Sequence, residues 1–224
     1  MAFPYDQTQA ENLIDGLLAP NAITHEGLIA AVRQTPREAF VPDAFAKSAY
    51  VDEEIPLGDG RALMEPLIQA RLLQALDPEP NESVLIIGGT TGYTAALLSP
   101  LVARVELVEQ DPALVAHAQQ ALQATGASNV NVVQHTLTHG APGAAPYDAI
   151  LIEGAVEVIP AGIVEQLKDG GRLLAIEILQ LHSGANSGLG EAKYYEKING
   201  RLSARVLFEA GVSVLPGFAK EAGF

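Results

Sequence analysis

The stretch Val84 to Gly92, VLIIGGTTG, constrains the fold of this chain more than any other. Val84-Leu85-Ile86-Ile87 runs without a polar break, as a strand buried on both faces of a parallel sheet does. Gly88-Gly89-Thr90-Thr91-Gly92 is a turn, and Tyr93-Thr94-Ala95-Ala96-Leu97-Leu98 has a helical pattern. Strand, glycine turn and helix open a βαβ unit. Such a turn suits a nucleotide-like ligand, because glycine permits close approach of the backbone and a helix N-terminus favours hydrogen-bond acceptors. The turn departs from G-x-G-x-x-G, so taken alone it also reads as a tight connection.

The next segment adds a second constraint. Arg104-Val105-Glu106-Leu107-Val108 reads as a strand with Glu109 at its C-terminal end. Glu109 falls about twenty residues after the first glycine, the spacing at which an acid accepts hydrogen bonds from ribose hydroxyls. The plain alternative is a solvated carboxylate at a strand end. Ligands of open α/β sheets bind outside the carboxyl ends of the strands, and Gly88 and Glu109 are both predicted on that edge.

Further βα alternation fixes the class. A helix is expected over 111–124, with Asp111 as its cap and Pro112 at its first position. Strands are expected over 130–133, over 147–152 with Glu153 and Gly154 at the tip, and over 172–176. A short helix over 160–167 is closed by Lys168-Asp169-Gly170-Gly171, and a Gly/Ser/Asn loop is expected beyond Gly184. Two strands, 193–198 and 202–208, flank Asn199-Gly200, a strong signal for a two-residue hairpin. The expectation is an α/β fold: a doubly wound, mostly parallel sheet with a C-terminal antiparallel hairpin. Ahead of it, residues 7–35 read as two helices, the second capped by Thr24, and residues 67–76 as a third. Residues 51–66 read as loop. The division expected is a helical extension with an acceptor loop over 1–76 and a sheet domain over 77–224, forming one compact unit.

Composition excludes several functions. There are no cysteines, hence no disulfide, thiolate metal site or cysteine nucleophile. The net charge of −14, with no Lys/Arg run, disfavours nucleic acid and anionic lipid as partners. No apolar run is long enough to cross a bilayer, and the first residues lack a signal-peptide pattern, so a cytoplasmic location is expected. His25, His117, His135, His139 and His182 show no metal-ligand spacing, so no metal site is expected. No G-x-S-x-G elbow is present. The apolar stretch 212–218 is expected to dock on the sheet edge or on a partner.

Between about residue 10 and residue 177 the chain resembles the protein-L-isoaspartate O-methyltransferases, a branch of the class I S-adenosylmethionine-dependent methyltransferases. The likeness is carried by Thr35-Pro36-Arg37-Glu38-Ala39-Phe40-Val41-Pro42, Ala49-Tyr50-Val51-Asp52, Ile55-Pro56-Leu57-Gly58 and Pro66. It continues through Gly88, Gly92-Tyr93, Ala145-Pro146-Tyr147-Asp148, Ile159-Pro160 and Gln166-Leu167-Lys168-Asp169-Gly170-Gly171-Arg172-Leu173. The resemblance implies a seven-stranded Rossmann-like sheet with an N-terminal helical extension. It implies S-adenosylmethionine as cofactor and methyl transfer to the isoaspartyl carboxylate of a protein or peptide acceptor. A homo-oligomer is a further expectation.

By the same resemblance, Gly88, Gly92, Glu109 and Thr136 fall at cofactor-binding positions, and Gly60, Ala62, Met64, Glu65 and Glu153 at the acceptor loop. Several of these depart from the family pattern. Hydroxyl-bearing residues are expected where Ala62-Leu63-Met64 stand, and glutamine where Glu65 stands. An acid is expected at Ile86, a glycine at Thr90, and an acid at Thr136, on the adenine side. Thr90 would be strained if its site needs a positive φ. The activity implied is therefore weak transfer to a protein carboxylate. The alternatives are an inactive binding or scaffolding homologue, or a methyltransferase with a non-carboxylate acceptor.

Overall fold

The computed structural model describes residues 7–181 and 187–219. Helices α1 (Gln7–Leu13) and α2 (Glu26–Gln34) lead the chain, α1 running into a π-turn at Ile14–Leu18. The cap of α2 is His25, not Thr24: the His25 imidazole Nδ1 accepts from the Leu28 N–H at 3.0 Å. Thr24 instead donates its backbone N–H to the Gln74 side chain. Two short 3₁₀ segments, Arg37–Phe40 and Asp43–Ser48, follow.

The region read as loop over 51–66 contains a hairpin. Strands β1 (Ile55–Gly58) and β2 (Arg61–Leu63) pair antiparallel around Asp59-Gly60. Both turn residues have positive φ, +47° and +72°, which Asp-Gly accommodates at low cost. Helix α3 (Pro66–Leu76) then leads into the main sheet.

That sheet is built by β3 (Ser83–Ile87), α4 (Tyr93–Leu98), β4 (Arg104–Glu109), α5 (Pro112–Thr125), β5 (Val130–Gln134), β6 (Tyr147–Val156), α6 (Ala161–Glu165), β7 (Leu167–Leu181), β8 (Ser187–Ile198) and β9 (Arg201–Ser213). Strand order is β5-β4-β3-β6-β7-β8-β9. The first five run parallel, and β8 and β9 return antiparallel around Asn199-Gly200. The seven strands and the terminal hairpin are those expected. Asp111 caps α5 as expected, accepting from the Ala113 N–H at 2.7 Å. All five residues of β3 are buried, as its unbroken apolar run requires.

Three boundaries differ from expectation. Glu153 and Gly154 lie inside β6, not at its tip. Residues 168–171 lie within β7 and do not close a helix. Of the Gly/Ser/Asn loop expected beyond Gly184, residues 187–192 form the start of β8, and residues up to 186 lie outside the described part. Extended pairing there is set by the neighbouring strands rather than by local pattern. Arg172 anchors β7 to the segment before β3, with bidentate contacts to Glu82 at 2.7 and 2.6 Å. A single apolar cluster joins α1 and α2 to the sheet through Leu13, Leu28, Leu73, Leu97 and Leu174.

Candidate active site

The site lies at the carboxyl edge of the sheet, where β3 and β4 end side by side. The Gly88 N–H donates to the Val108 carbonyl at 2.9 Å, so Gly88 and Glu109 meet on one edge as predicted. Gly88 and Gly92 have φ of +77° and +92°, and Thr90 shares that region at +47°. Thr90 is thus strained, and its buried hydroxyl has no hydrogen-bond partner. Ile86, at the position where the resemblance calls for an acid, is fully buried in the core.

Glu109 is not solvated. Its carboxylate is fully buried and receives the Arg61 guanidinium in a fork, Nη1 to Oε1 at 2.8 Å and Nη2 to Oε2 at 2.9 Å. The backbone N–H groups of Thr90, Gln110 and Asp111 donate to it at 3.2, 2.7 and 3.1 Å. Five donors saturate a group that offers about four lone-pair sites. Arg61 comes from β2 in the hairpin, and its Nη2 also donates to the Gly88 carbonyl at 3.0 Å. The carboxylate that the resemblance assigns to a ribose is therefore occupied by the chain's own cation.

The glycines are occupied in the same way. After β9, Val214 bridges to Ala155, and the Leu215 N–H donates to the Ala155 carbonyl at 2.9 Å. The Phe218 carbonyl accepts from the Glu157 N–H at 2.9 Å, so the apolar tail docks on the edge beside β6. A Cβ built on Gly154 would lie 2.6 Å from Leu215 Cγ, and one on Gly88 would lie 3.0 Å from Leu215 Cδ2. The free space between Arg61, Glu153, Gly154 and Leu215 is about 10 Å³, enough for one water.

A second network lies beneath the hairpin. Arg37, fully buried, donates to the carbonyls of Ala49 and Met64 at 2.7 and 2.5 Å and to Gln69 Oε1 at 2.8 Å. Its guanidinium also sits over the Tyr93 ring, 4.7 Å from the centroid. Gln69 donates to Thr94 and, at 3.2 Å, to Glu153 Oε1, which also receives the Thr94 hydroxyl at 2.6 Å. Glu153 Oε2 is buried without a partner. Burial pushes the Glu153 carboxyl up, against the opposing pull of Thr94, Gln69, Arg37 and Arg61. Glu65, at the start of α3, is also pushed up, by burial and then by Asp52 and Glu54.

The predicted residues are thus partly assembled. Met64 and Glu153 line the crevice, with Ala62 and Gly60 in the hairpin above it, and Gly88 and Glu109 border it through Arg61. Gly92 lies apart, packed toward Leu122 and Ala118 of α5. Thr136 is exposed just past β5, its hydroxyl beside the His135 ring at 3.0 Å. Sequence reading missed Arg61, and it placed the stretch 212–218 on the sheet edge without foreseeing that Leu215 sits against Gly88 and Gly154.

A seven-stranded sheet with a glycine turn after the first of its strands in the chain and an acid at the end of the next defines a class I methyltransferase fold. Residues 8–193 match the family model for protein-L-isoaspartate(D-aspartate) O-methyltransferase. The protein-L-isoaspartate O-methyltransferase of Methanoregula boonei is 37% identical over 175 residues, 78% of this chain and 81% of that one. That of Roseiflexus castenholzii is 38% identical over 169 residues, 75% and 78% of the two chains. A solved protein-L-isoaspartate O-methyltransferase superposes with a TM-score of 0.79 at 25% identity, over 93% of this chain and 66% of that one. A Plasmodium falciparum relative solved with S-adenosyl-L-homocysteine superposes at 0.75 over 95% and 99% of the two chains, and at 15% identity that likeness is one of fold. The chain belongs to the protein-L-isoaspartate O-methyltransferase family, whose cofactor is S-adenosylmethionine. In the state described, that cofactor does not fit: Glu109 is saturated, and Leu215 fills the space beside Gly88 and Gly154.

Among the described residues no helix is long and apolar enough to cross a membrane.

Proposed function

We propose that this chain is a weak protein carboxyl methyltransferase of the isoaspartate type, using S-adenosylmethionine, and that its crevice must open before it works. The observation that carries the reading is the meeting of Gly88 and Glu109 with Arg61 of the β1–β2 hairpin on one sheet edge of a family scaffold. In this reading Gly88, Gly92, Glu109 and Thr136 border the donor side. Gly60, Ala62, Met64, Glu65 and Glu153 border the acceptor side.

The acceptor side explains the weakness. Ala62 and Met64 offer no hydroxyl to orient a carboxylate, and one missing bond to a charged oxygen costs about 1.5–3 kcal/mol. Glu65 and Glu153 would repel a carboxylate if ionised, but burial favours their neutral forms and softens that repulsion. The test is transfer of labelled methyl to an isoaspartyl peptide, with the aspartyl peptide as control. Turnover well below about 1 s⁻¹ and specific to the isoaspartyl form is expected. Absence of transfer by a variant shown to bind the donor would refute the reading.

A further inference from the structure

Four features of the molecule lie outside the site's expected chemistry: the stacked His135 and His139 rings, the groove between α5 and the first 3₁₀ segment, the apolar residues of β9, and the contacts that fill the donor crevice. The last is the most fully determined. We propose that the donor crevice is held shut by a two-part latch within the chain: Arg61 on Glu109, and Leu215 between Gly88 and Gly154. This rests on the family reading of the crevice as a donor site.

Each half of the latch replaces a specific feature of an adenosine ligand. Ribose hydroxyls would donate to the Glu109 carboxylate, and the Arg61 fork already donates to both of its oxygens at 2.8 and 2.9 Å. A charge-assisted fork is a stronger partner than a pair of neutral hydroxyls. A glycine turn admits a ligand by offering backbone without Cβ. Here Leu215 uses that room: its Cδ2 lies 3.0 Å from where a Cβ on Gly88 would stand. The third Arg61 contact, to the Gly88 carbonyl at 3.0 Å, joins the two halves.

The latch is built to release. Two buried polar atoms beside it, Thr90 Oγ1 and Glu153 Oε2, have no partner in the closed state. Admitting water or ligand would satisfy both, which offsets part of the cost of opening. Arg61 follows Gly58, Asp59 and Gly60 in a short two-stranded hairpin, all three with positive φ, so it can withdraw without disturbing the seven-stranded sheet. Leu215 lies just after β9, outside its pairing with β8.

The experiment is calorimetric binding of S-adenosylhomocysteine to the full chain and to the double variant Arg61→Ser with Leu215→Ala, each checked for a cooperative melt. At least tenfold tighter binding by the variant is expected. Equal affinity of the two proteins, or binding by neither, overturns the latch. Should the double variant not fold, hydrogen exchange on the unaltered chain decides. There, millimolar S-adenosylhomocysteine should protect residues 88–94 while speeding exchange at residues 61–63 and 214–218. Unchanged exchange, or protection of the glycine turn with no loosening of those two segments, overturns it. Methyl transfer is a separate readout. An opened variant that binds the ligand but methylates no isoaspartyl peptide refutes the proposed function and leaves the latch standing.

Discussion

Replacing Glu109 by alanine should unfold this protein sooner than it disturbs any ligand. Glu109 is fully buried, and the Arg61 side chain is 5% exposed. Without the carboxylate, the guanidinium keeps one acceptor, the Gly88 carbonyl at 3.0 Å. The N–H groups of Thr90, Gln110 and Asp111 lose their shared partner as well. Removing one member of a buried pair costs about 3–5 kcal/mol, because the other charge is left uncompensated. For a chain of 224 residues that lowers the melting temperature by roughly 6–20 °C.

The reciprocal change is milder. Arg61→Met leaves the Glu109 carboxylate with three backbone donors, so it should cost less than Glu109→Ala. Joined in one chain, the two changes should cost less than their sum by about 1–3 kcal/mol, since the double variant strands no charge. Urea titration followed by circular dichroism reads all four proteins. Additive costs, or a Glu109→Ala variant as stable as the parent, would show that the fork does not hold the crevice together.

Two further outcomes follow from the same site. Thr90→Gly removes a left-handed β-branched residue and a buried orphan hydroxyl, and should stabilise by about 1 kcal/mol, seen as a higher urea midpoint with unchanged slope. Glu153→Gln should raise the melting temperature at pH 8. Burial raises the folded-state pKa of Glu153, so the folded state binds the proton more tightly than the unfolded chain. Parent stability then falls as pH rises from the ordinary glutamate range to that raised value, and is flat above it. The advantage of the glutamine variant should therefore shrink on acidification toward about pH 4, and an advantage independent of pH would contradict the assigned cause.

Much of this frame is legible in the sequence, because its determinants are local. The unbroken apolar run of β3, the Asp111-Pro112 start of α5 and the Asn199-Gly200 turn each act over a few residues. The β1–β2 hairpin has a local signal too, Asp59-Gly60, but the prolines and acids around it outweigh that signal in a reading by composition. His25 escapes because an imidazole caps a helix only as a neutral acceptor, a role its residue type does not announce. The outer ends of β8 and β9 carry glycine and polar residues and are extended through pairing alone. The partner of Arg61 and the seat of Leu215 against the two glycines are the hardest to foresee. Arg61 meets its carboxylate 48 positions away, and Leu215 meets Gly88 more distant still. Contacts at such separation leave no periodicity.

A glycine turn followed by an acid specifies a place where something approaches the backbone closely and donates hydrogen bonds. It does not specify that the donor comes from outside the chain. Here a guanidinium and a leucine meet both demands, and they do so at no cost in translational entropy, since they are already tethered. A free cofactor therefore competes with an intramolecular partner. Its apparent affinity is its intrinsic affinity reduced by the fraction of molecules that are open. If the fork and the Leu215 contact together favour the closed state by about 3 kcal/mol, that fraction is roughly one in 150, and a micromolar site behaves as a sub-millimolar one. Any acceptor protein that draws the β1–β2 hairpin away from Glu109 recovers the lost factor. The hairpin carries both Arg61 and Ala62, so under the proposed function an acceptor that engages Ala62 would also move the cation that covers Glu109.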